Sequence, residues 1–243
     1  RELSPMRKSA AARSLDEMIG RLIETSQWSY HVNDSNANEK ASCFEKPAPH
    51  GIGFGLGNGE AFYVDLDGFS GGRVEALRQL NYVLTSANYA KSVYDQKRNL
   101  GSLLGLGVEP VGVKDDVLIA AYLLESTRTS YPIGFLAQIY ADIDAAHSVP
   151  EGFDEAAFRT AESADLVARL APILRAKLRD NDLEELYDEI ELPLVPILAR
   201  IELVGMKVDG ESLRTFSEFI TKQLDALREK ITKIAGREVN IGP

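Results

Sequence analysis

The sequence predicts an α/β fold: a mixed sheet led by a hairpin and flanked by helices, followed by an α-helical hairpin. Three observations carry that prediction. The run GIGFGLGNG over 51–59 alternates glycine with Ile52, Phe54 and Leu56, the period of a strand with one bare face. From residue 73 to about 180, helical periods alternate with short strand-like segments, which is a layered α/β pattern. From Leu183 onward only long helical periods remain.

Each element follows from local chemistry. Residues 1–13 (RELSPMRKSAAAR) are basic, small and aperiodic, and are expected to be a linker. Ser14 is placed to cap a helix in which Asp16 and Glu17 meet the positive end of the dipole, with Leu15, Met18, Ile19 and Leu22 on one face. Trp28 to Val32 reads as a strand and Asn33 to Lys46 as a polar loop. Asn58-Gly59 signals a type I′ hairpin turn, with Ala61 to Leu66 as the returning strand. Helical periods follow over 73–84 and 95–106, separated by a strand at 90–94. Asp115 or Asp116 caps a helix over Val117 to Leu124, and 154–178 holds one or two more. Asn181-Asp182 breaks the pattern, which places a boundary near residue 182 between a domain over 14–182 and a second over 183–243.

In that second region Leu213, Phe216, Ile220, Leu224, Leu227, Ile231 and Ile234 recur at steps of three and four. Asp209 is placed to cap this helix and Gly236 to stop it. It is expected to pair with the helix ending near Val204, with its distal half, from Leu224 to Ile234, more exposed than the half before.

The chain has 243 residues, 44% hydrophobic and 26% charged, enough for one full core and part of another domain. One cysteine, Cys43, excludes an intramolecular disulfide and points to an intracellular setting. No apolar run approaches the ~18 residues of a transmembrane helix, so no membrane is expected as a partner. With 27 Lys and Arg against 37 Asp and Glu, the net charge is −10, which argues against a surface that coats nucleic acid. Small basic clusters remain at Lys97-Arg98 and at Lys230 and Lys233, the last two being the candidate DNA contacts. A start at Arg1 and a stop at Pro243 lead us to read the chain as a piece of a longer protein.

Several chemistries are excluded on spacing. No frame of the glycine run gives G-x-G-x-x-G, no phosphate-loop pattern with Gly-Lys-Ser/Thr exists, and the run precedes a hairpin rather than a helix. His31, His50 and His147 lie far apart, and with a single cysteine they offer no zinc set. Asn33-Asp34-Ser35 matches a glycosylation sequon without other signs of secretion. No G-x-S-x-G nucleophile elbow is present.

The most specific text is LYDEIELPLVPILARIELVGMKVD over 186–209, closed by IAGREVNIGP over 234–243. It resembles the signature that joins the exonuclease-type domain to the polymerase domain in bacterial DNA polymerase I, the family A polymerases. Upstream, Tyr94 to Asn99 through Gly107-Val-Glu109 resembles that family's second exonuclease motif. Asp116 to Leu124 resembles its next helix, and Ala161 to Asp165 its third motif. The resemblance implies a ribonuclease-H-like mixed sheet flanked by helices. It makes 14–182 a vestigial 3′–5′ exonuclease-like domain and 183–243 the first helices of the polymerase domain, at the base of the thumb.

Active members of that exonuclease family use four carboxylates and a tyrosine. Two divalent ions about 4 Å apart must be held, one water activated and one leaving oxygen stabilised, and hard cations take anionic oxygen ligands. The corresponding positions here are His31 and Asn33 for the first motif, Asn99 for the second, and Arg159 and Ser163 for the third. An Asn or Ser oxygen carries no charge to offset two cations. Asp165 falls about 200° round a helix from Ser163 and points away, while Asp116 reads as a helix cap. No catalytic residue, metal ligand or cofactor is therefore expected in this segment.

The resemblance further implies a parent DNA-directed DNA polymerase, a nucleotidyltransferase used in DNA replication and repair. It would act as a cytoplasmic, nucleoid-associated monomer, take Mg²⁺ in its polymerase part, and hold a DNA primer-template through that part. Two other readings stay open. One is an active exonuclease built on Asp34, Glu39, Asp95 and Asp165; the other is a free-standing ribonuclease-H-like interaction module.

Overall fold

The computed structural model describes residues 15–34, 49–237 and 240. The linker expected at 1–13, most of the polar loop, and with them Glu39 and Cys43, lie outside the described residues. The described chain divides into two bodies, the first ending at Leu203 and the second beginning at Val204.

The first body is built on a five-stranded mixed sheet in the order β3-β2-β1-β4-β5. The strands are β1 (Gln27–Asp34), β2 (Pro49–Gly55), β3 (Ala61–Asp65), β4 (Ala90–Val93) and β5 (Val113–Asp116). β1, β2 and β3 form an antiparallel meander, and β4 and β5 run parallel to β1. The helices are α1 (Leu15–Thr25), α2 (Gly72–Leu84), α3 (Gln96–Leu104), α4 (Val117–Leu124), α5 (Ile133–Ala141), α6 (Glu155–Asp180), a short α7 (Glu184–Leu186) and α8 (Leu192–Val204). α7 runs through one π-helical turn, Tyr187–Glu191, into α8.

Period two sorts β1 onto two layers. Trp28, Tyr30 and Val32 are buried with Ile52, Phe54, Phe62 and Val64 in a core shared with α1, α2 and α3. The alternate residues Ser29, His31 and Asn33 face the other way. They pair across the ladder with Gly55, Gly53 and Gly51.

That bare face is filled by backbone. A Cβ at Gly53 would stand 2.5 Å from the Thr160 carbonyl oxygen, and one at Gly55 2.5 Å from that of Ala164. Gly57 meets Ala168 next. The α6 positions 160, 164 and 168 are one turn apart, so a single helix ridge lies in a glycine groove. Ser29 Oγ donates to the Ala164 carbonyl, fixing the helix to β1. The glycine run is thus the seat of α6, the structural role its spacing implied.

Four sequence expectations need correction. Asn33 lies within β1, not in a loop. The β2–β3 connection is not a two-residue type I′ turn: Gly57 and Gly59 hold positive φ, Asn58 does not, and Leu56 N–H donates to Glu60 O at 3.0 Å. The cause is tertiary, because Asp165 Oδ1 on α6 accepts from both Gly57 N–H (3.0 Å) and Gly59 N–H (3.1 Å). β5 and α5 were not anticipated, whereas the reading of one or two helices over 154–178 holds, as the single helix α6 running through Pro172. The break in packing also falls later than residue 182. Fully buried Tyr187 accepts from Asp116 N–H at 2.6 Å and donates to Asp116 O at 3.1 Å, tying 184–203 to the first body.

The second body holds α9 (Gly210–Ala235), capped by Asp209 through Glu211 N–H and Ser212 N–H and stopped by Gly236 at φ 66°. No residue of α9 is buried. Leu213 and Phe216 are as exposed as Leu224 and Leu227, so the expected difference between its halves is not seen. An amphipathic helix without a burying surface bares its apolar stripe along its whole length.

Candidate functional site

One cleft of about 250 Å³ brings together His31, Asn33, Asn99, Arg159 and Ser163, the positions matched to the exonuclease motifs. Val32, Tyr94, Asp95, Arg98, Ser102, Ala156 and Thr160 complete its lining. Three elements place these groups: β1, the start of α3, and the α6 ridge seated on the glycines.

The start of α3 is held by a buried acid. Asp95 adopts left-handed φ 58°, which is unfavourable for a residue with a Cβ. Asp116 compensates by accepting from Asp95 N–H (3.1 Å) and Gln96 N–H (2.7 Å), and from Leu118 N–H (2.9 Å) as the cap of α4. Burial pushes the Asp116 carboxyl up to about 6, even against those three donors. Asp95 itself caps α3 by accepting from Arg98 N–H at 3.2 Å.

Asn99 is a cross-brace. Its Oδ1 accepts from Val32 N–H on β1 at 2.7 Å, and its Nδ2 donates to Tyr94 O (2.7 Å) and Asp95 O (2.8 Å). The side chain is buried and every bond uses the amide's own polarity. A carboxylate at this position would set its second oxygen against two carbonyls, with nothing to donate.

On β1, Asn33 Nδ2 donates to Tyr63 OH at 3.3 Å. His31 packs edge-on to Tyr94 at 6.5 Å, and its Nδ1 is buried without a partner among the described residues. Burial first, and the Arg98 charge second, lower the His31 pKa to about 4, so the ring is neutral at pH 7. Burial, with Asp95 and Asp116 nearby, raises Tyr94 to about 12. Its hydroxyl donates to Tyr131 O at 2.8 Å. On α6, Arg159 Nη1 is shared between Ala146 O (2.7 Å) and Glu162 Oε2 (3.0 Å).

The other candidates lie elsewhere. Asp165 is spent on the hairpin loop and on Arg169 at 2.7 Å, so it is not a cleft residue. Lys97 pairs with Glu202 at 2.6 Å. Lys230 and Lys233 lie exposed on α9 in the second body. Tyr94 and Arg98 escaped the sequence reading, although both sit in the quoted second motif within a helical turn or so of Asn99.

The donor set does not fit two-metal chemistry. Asp95 is the one carboxylate among the described lining residues, and one of its oxygens serves the α3 cap. Among the described residues, no group of three or more His, Cys, Asp or Glu is placed to hold a metal ion.

Comparison with known proteins decides the type of fold unit. Residues 48–147 match the family described as DNA polymerase I, ribonuclease H-like domain. The chain carries a 3′–5′ exonuclease-like domain of the bacterial DNA polymerase I type. DNA polymerase I of Geobacillus stearothermophilus is 33% identical over 162 residues, covering 62% of this chain and 18% of the relative. That of Pseudomonas aeruginosa is 31% identical over 215 residues, covering 79% of this chain and 23% of the relative. The chain therefore spans about a fifth of the length of these polymerases. The POL domain of Pol1 from M. smegmatis, in complex with DNA primer-template and dNTP, superposes with a TM-score of 0.73 at 23% identity, over 93% of this chain and 37% of that one. At that identity the likeness speaks for the fold. The polymerase I-type domain here is the mixed sheet with its flanking helices, followed by α8 and α9.

Proposed function

We propose that this chain is the exonuclease-like segment and first thumb-base helices of a DNA-directed DNA polymerase used in replication and repair, and that the segment is a structural scaffold without nuclease activity. The relatives of matching sequence are DNA polymerases I, and this segment would support the polymerase part of the same protein. There the primer-template and the catalytic Mg²⁺ would bind. The parent would be a monomer in the cytoplasm, associated with the nucleoid. No helix among the described residues is long and apolar enough to cross a membrane.

The observation that carries the scaffold reading is Asn99. The ligand position of the second motif is occupied by an amide whose oxygen and nitrogen both serve as backbone braces. Arg159 and Ser163 stand where the third motif's tyrosine and aspartate would be, and a guanidinium there repels the cations that two-metal hydrolysis needs. Of the carboxylates considered for an active enzyme, Asp165 is committed to the glycine loop.

Incubated with a labelled single-stranded oligonucleotide and Mg²⁺ or Mn²⁺, the chain is expected to give no degradation above a buffer control. A rate that EDTA abolishes, and that substitution of Asp95 also abolishes, would establish an active exonuclease instead.

A further inference from the structure

We propose that the cleft between β1, α3 and α6 binds a phosphate group without a metal ion, with the guanidiniums of Arg98 and Arg159 supplying the positive charge. The proposal rests on the reading of this cleft as metal-free and gives it a ligand class.

Four observations converge. Arg98 lines the cleft, is exposed, and has no side-chain acceptor among the described residues. Arg159 lines the cleft from α6 and commits only Nη1 to Ala146 O and Glu162. Its Nε and Nη2 hydrogens have no acceptor among the described residues. The Glu162 carboxylate also serves Ala146 N–H at 2.6 Å, so it is not Arg159's alone. Ser163 lies one turn beyond Arg159 and adds a hydroxyl donor on the same wall. His31, which also lines the cleft, keeps a buried Nδ1 with no counterpart among the described residues.

Two guanidiniums therefore line the cleft with one carboxylate, Asp95, while Glu162, outside the lining, pairs with Arg159, in a chain whose net charge is −10. Guanidinium forks match the tetrahedral oxygens of phosphate and form charge-assisted bonds to them. The polarity of the site is inverted relative to an acidic, metal-binding one. A cation is repelled where four carboxylates and two metals would have met a phosphodiester, and a phosphate is attracted directly. A cleft of about 250 Å³ has room for a phosphate with one nucleoside attached, not for a duplex.

The test is an NMR titration of the full chain in EDTA with inorganic phosphate, deoxyadenosine monophosphate and, as control, deoxyadenosine. Saturable shifts are expected at the amides of His31, Asn99 and Ser163 with both phosphate-bearing probes and not with deoxyadenosine. Tighter binding of the nucleotide would identify a nucleotide phosphate as the ligand, and equal binding free phosphate. Arg98→Gln is expected to weaken binding by about tenfold or more with an unchanged melting temperature, since Arg98 is exposed and has no partner among the described residues to lose. Arg159→Gln should weaken it similarly. No saturable shift in EDTA, shifts that appear only when Mn²⁺ is added, or binding indifferent to both substitutions would each overturn the proposal. Cleavage of the labelled oligonucleotide in the separate nuclease assay with Mn²⁺ would overturn the metal-free reading beneath it. No cleavage together with no phosphate shift would overturn this inference alone.

Discussion

Gly55→Val is expected to destabilise the first body by at least about 3 kcal/mol, and to prevent accumulation of folded chain if the starting stability is modest. The atoms that a Cβ would strike are backbone: the Ala164 carbonyl carbon and oxygen and the Asp165 nitrogen. Backbone within a helix cannot swing aside as a side chain can. Relief requires α6 to lift by roughly 1 Å to restore ordinary contact. That motion strains the Ser29 bond to Ala164 O and pulls Asp165 from the two glycine amides it holds. Gly53→Val should behave alike through Thr160. Gly20→Ala is the matched control. It lies in α1 with nothing within 4 Å of the added carbon, and alanine is favoured over glycine in a helix by about 1 kcal/mol, so this variant should be neutral or slightly more stable. Urea unfolding of the three variants measures all of this. Equal, small effects at Gly20 and Gly55 would show that the groove is looser than the contacts imply.

Asp116→Ala is expected to cost about 3–5 kcal/mol at pH 7, because it leaves three part-buried N–H groups without their acceptor. The left-handed turn at Asp95 loses its support at the same time. Asp116→Asn separates charge from shape. The folded-state pKa is about 6, above the 3.8 of the unfolded chain. A raised pKa means that the folded state binds the proton more tightly. The proton-linked part of Asp116's contribution is then full below about pH 4 and is lost as pH rises through 6, while its acceptor role towards the three N–H groups remains. An asparagine cannot titrate, so the stability difference between wild type and Asp116→Asn should grow as pH falls from 7 towards 4. Denaturation at several pH values reads this directly, and a difference independent of pH would mean that Asp116 is not desolvated as described.

The legibility of this chain differs between fold and site. Glycine alternation announced the bare face of β2, and the caps at Asp116, Asp209 and Gly236 stood where the sequence put them. The hairpin turn was misread because its geometry is set by Asp165, more than a hundred residues away, and local turn chemistry carries no trace of that. β5 (VKDD) has no strand-like pattern. It is held by pairing with β4 and by Arg175, which bonds Asp115 at 2.9 Å and Asp188 at 2.6 Å. Lys91 is another case that only the assembled fold explains. It is fully buried, and its ammonium donates to Ser86 O, Tyr89 O and Val111 O, with the Trp28 ring 5.1 Å away. Burial lowers its pKa to about 8. No local pattern foretells a lysine in a cage of loop carbonyls. At the site, the five positions that the motif resemblance picked out line one cleft, and only resemblance could point to them, since neutral and basic side chains carry no metal signature of their own. Resemblance alone did not mark Tyr94 and Arg98 as lining, nor the braces that make Asn99 structural.

The cleft, on the reading proposed above, holds no metal ion. Paramagnetic Mn²⁺ titrated into the isotope-labelled chain, with amide broadening read at His31, Asn99, Arg159 and Ser163, tests it most directly. No broadening of these amides beyond that of exposed acidic surface residues is expected at millimolar Mn²⁺. Selective, saturable broadening of the cleft at sub-millimolar Mn²⁺ would contradict it.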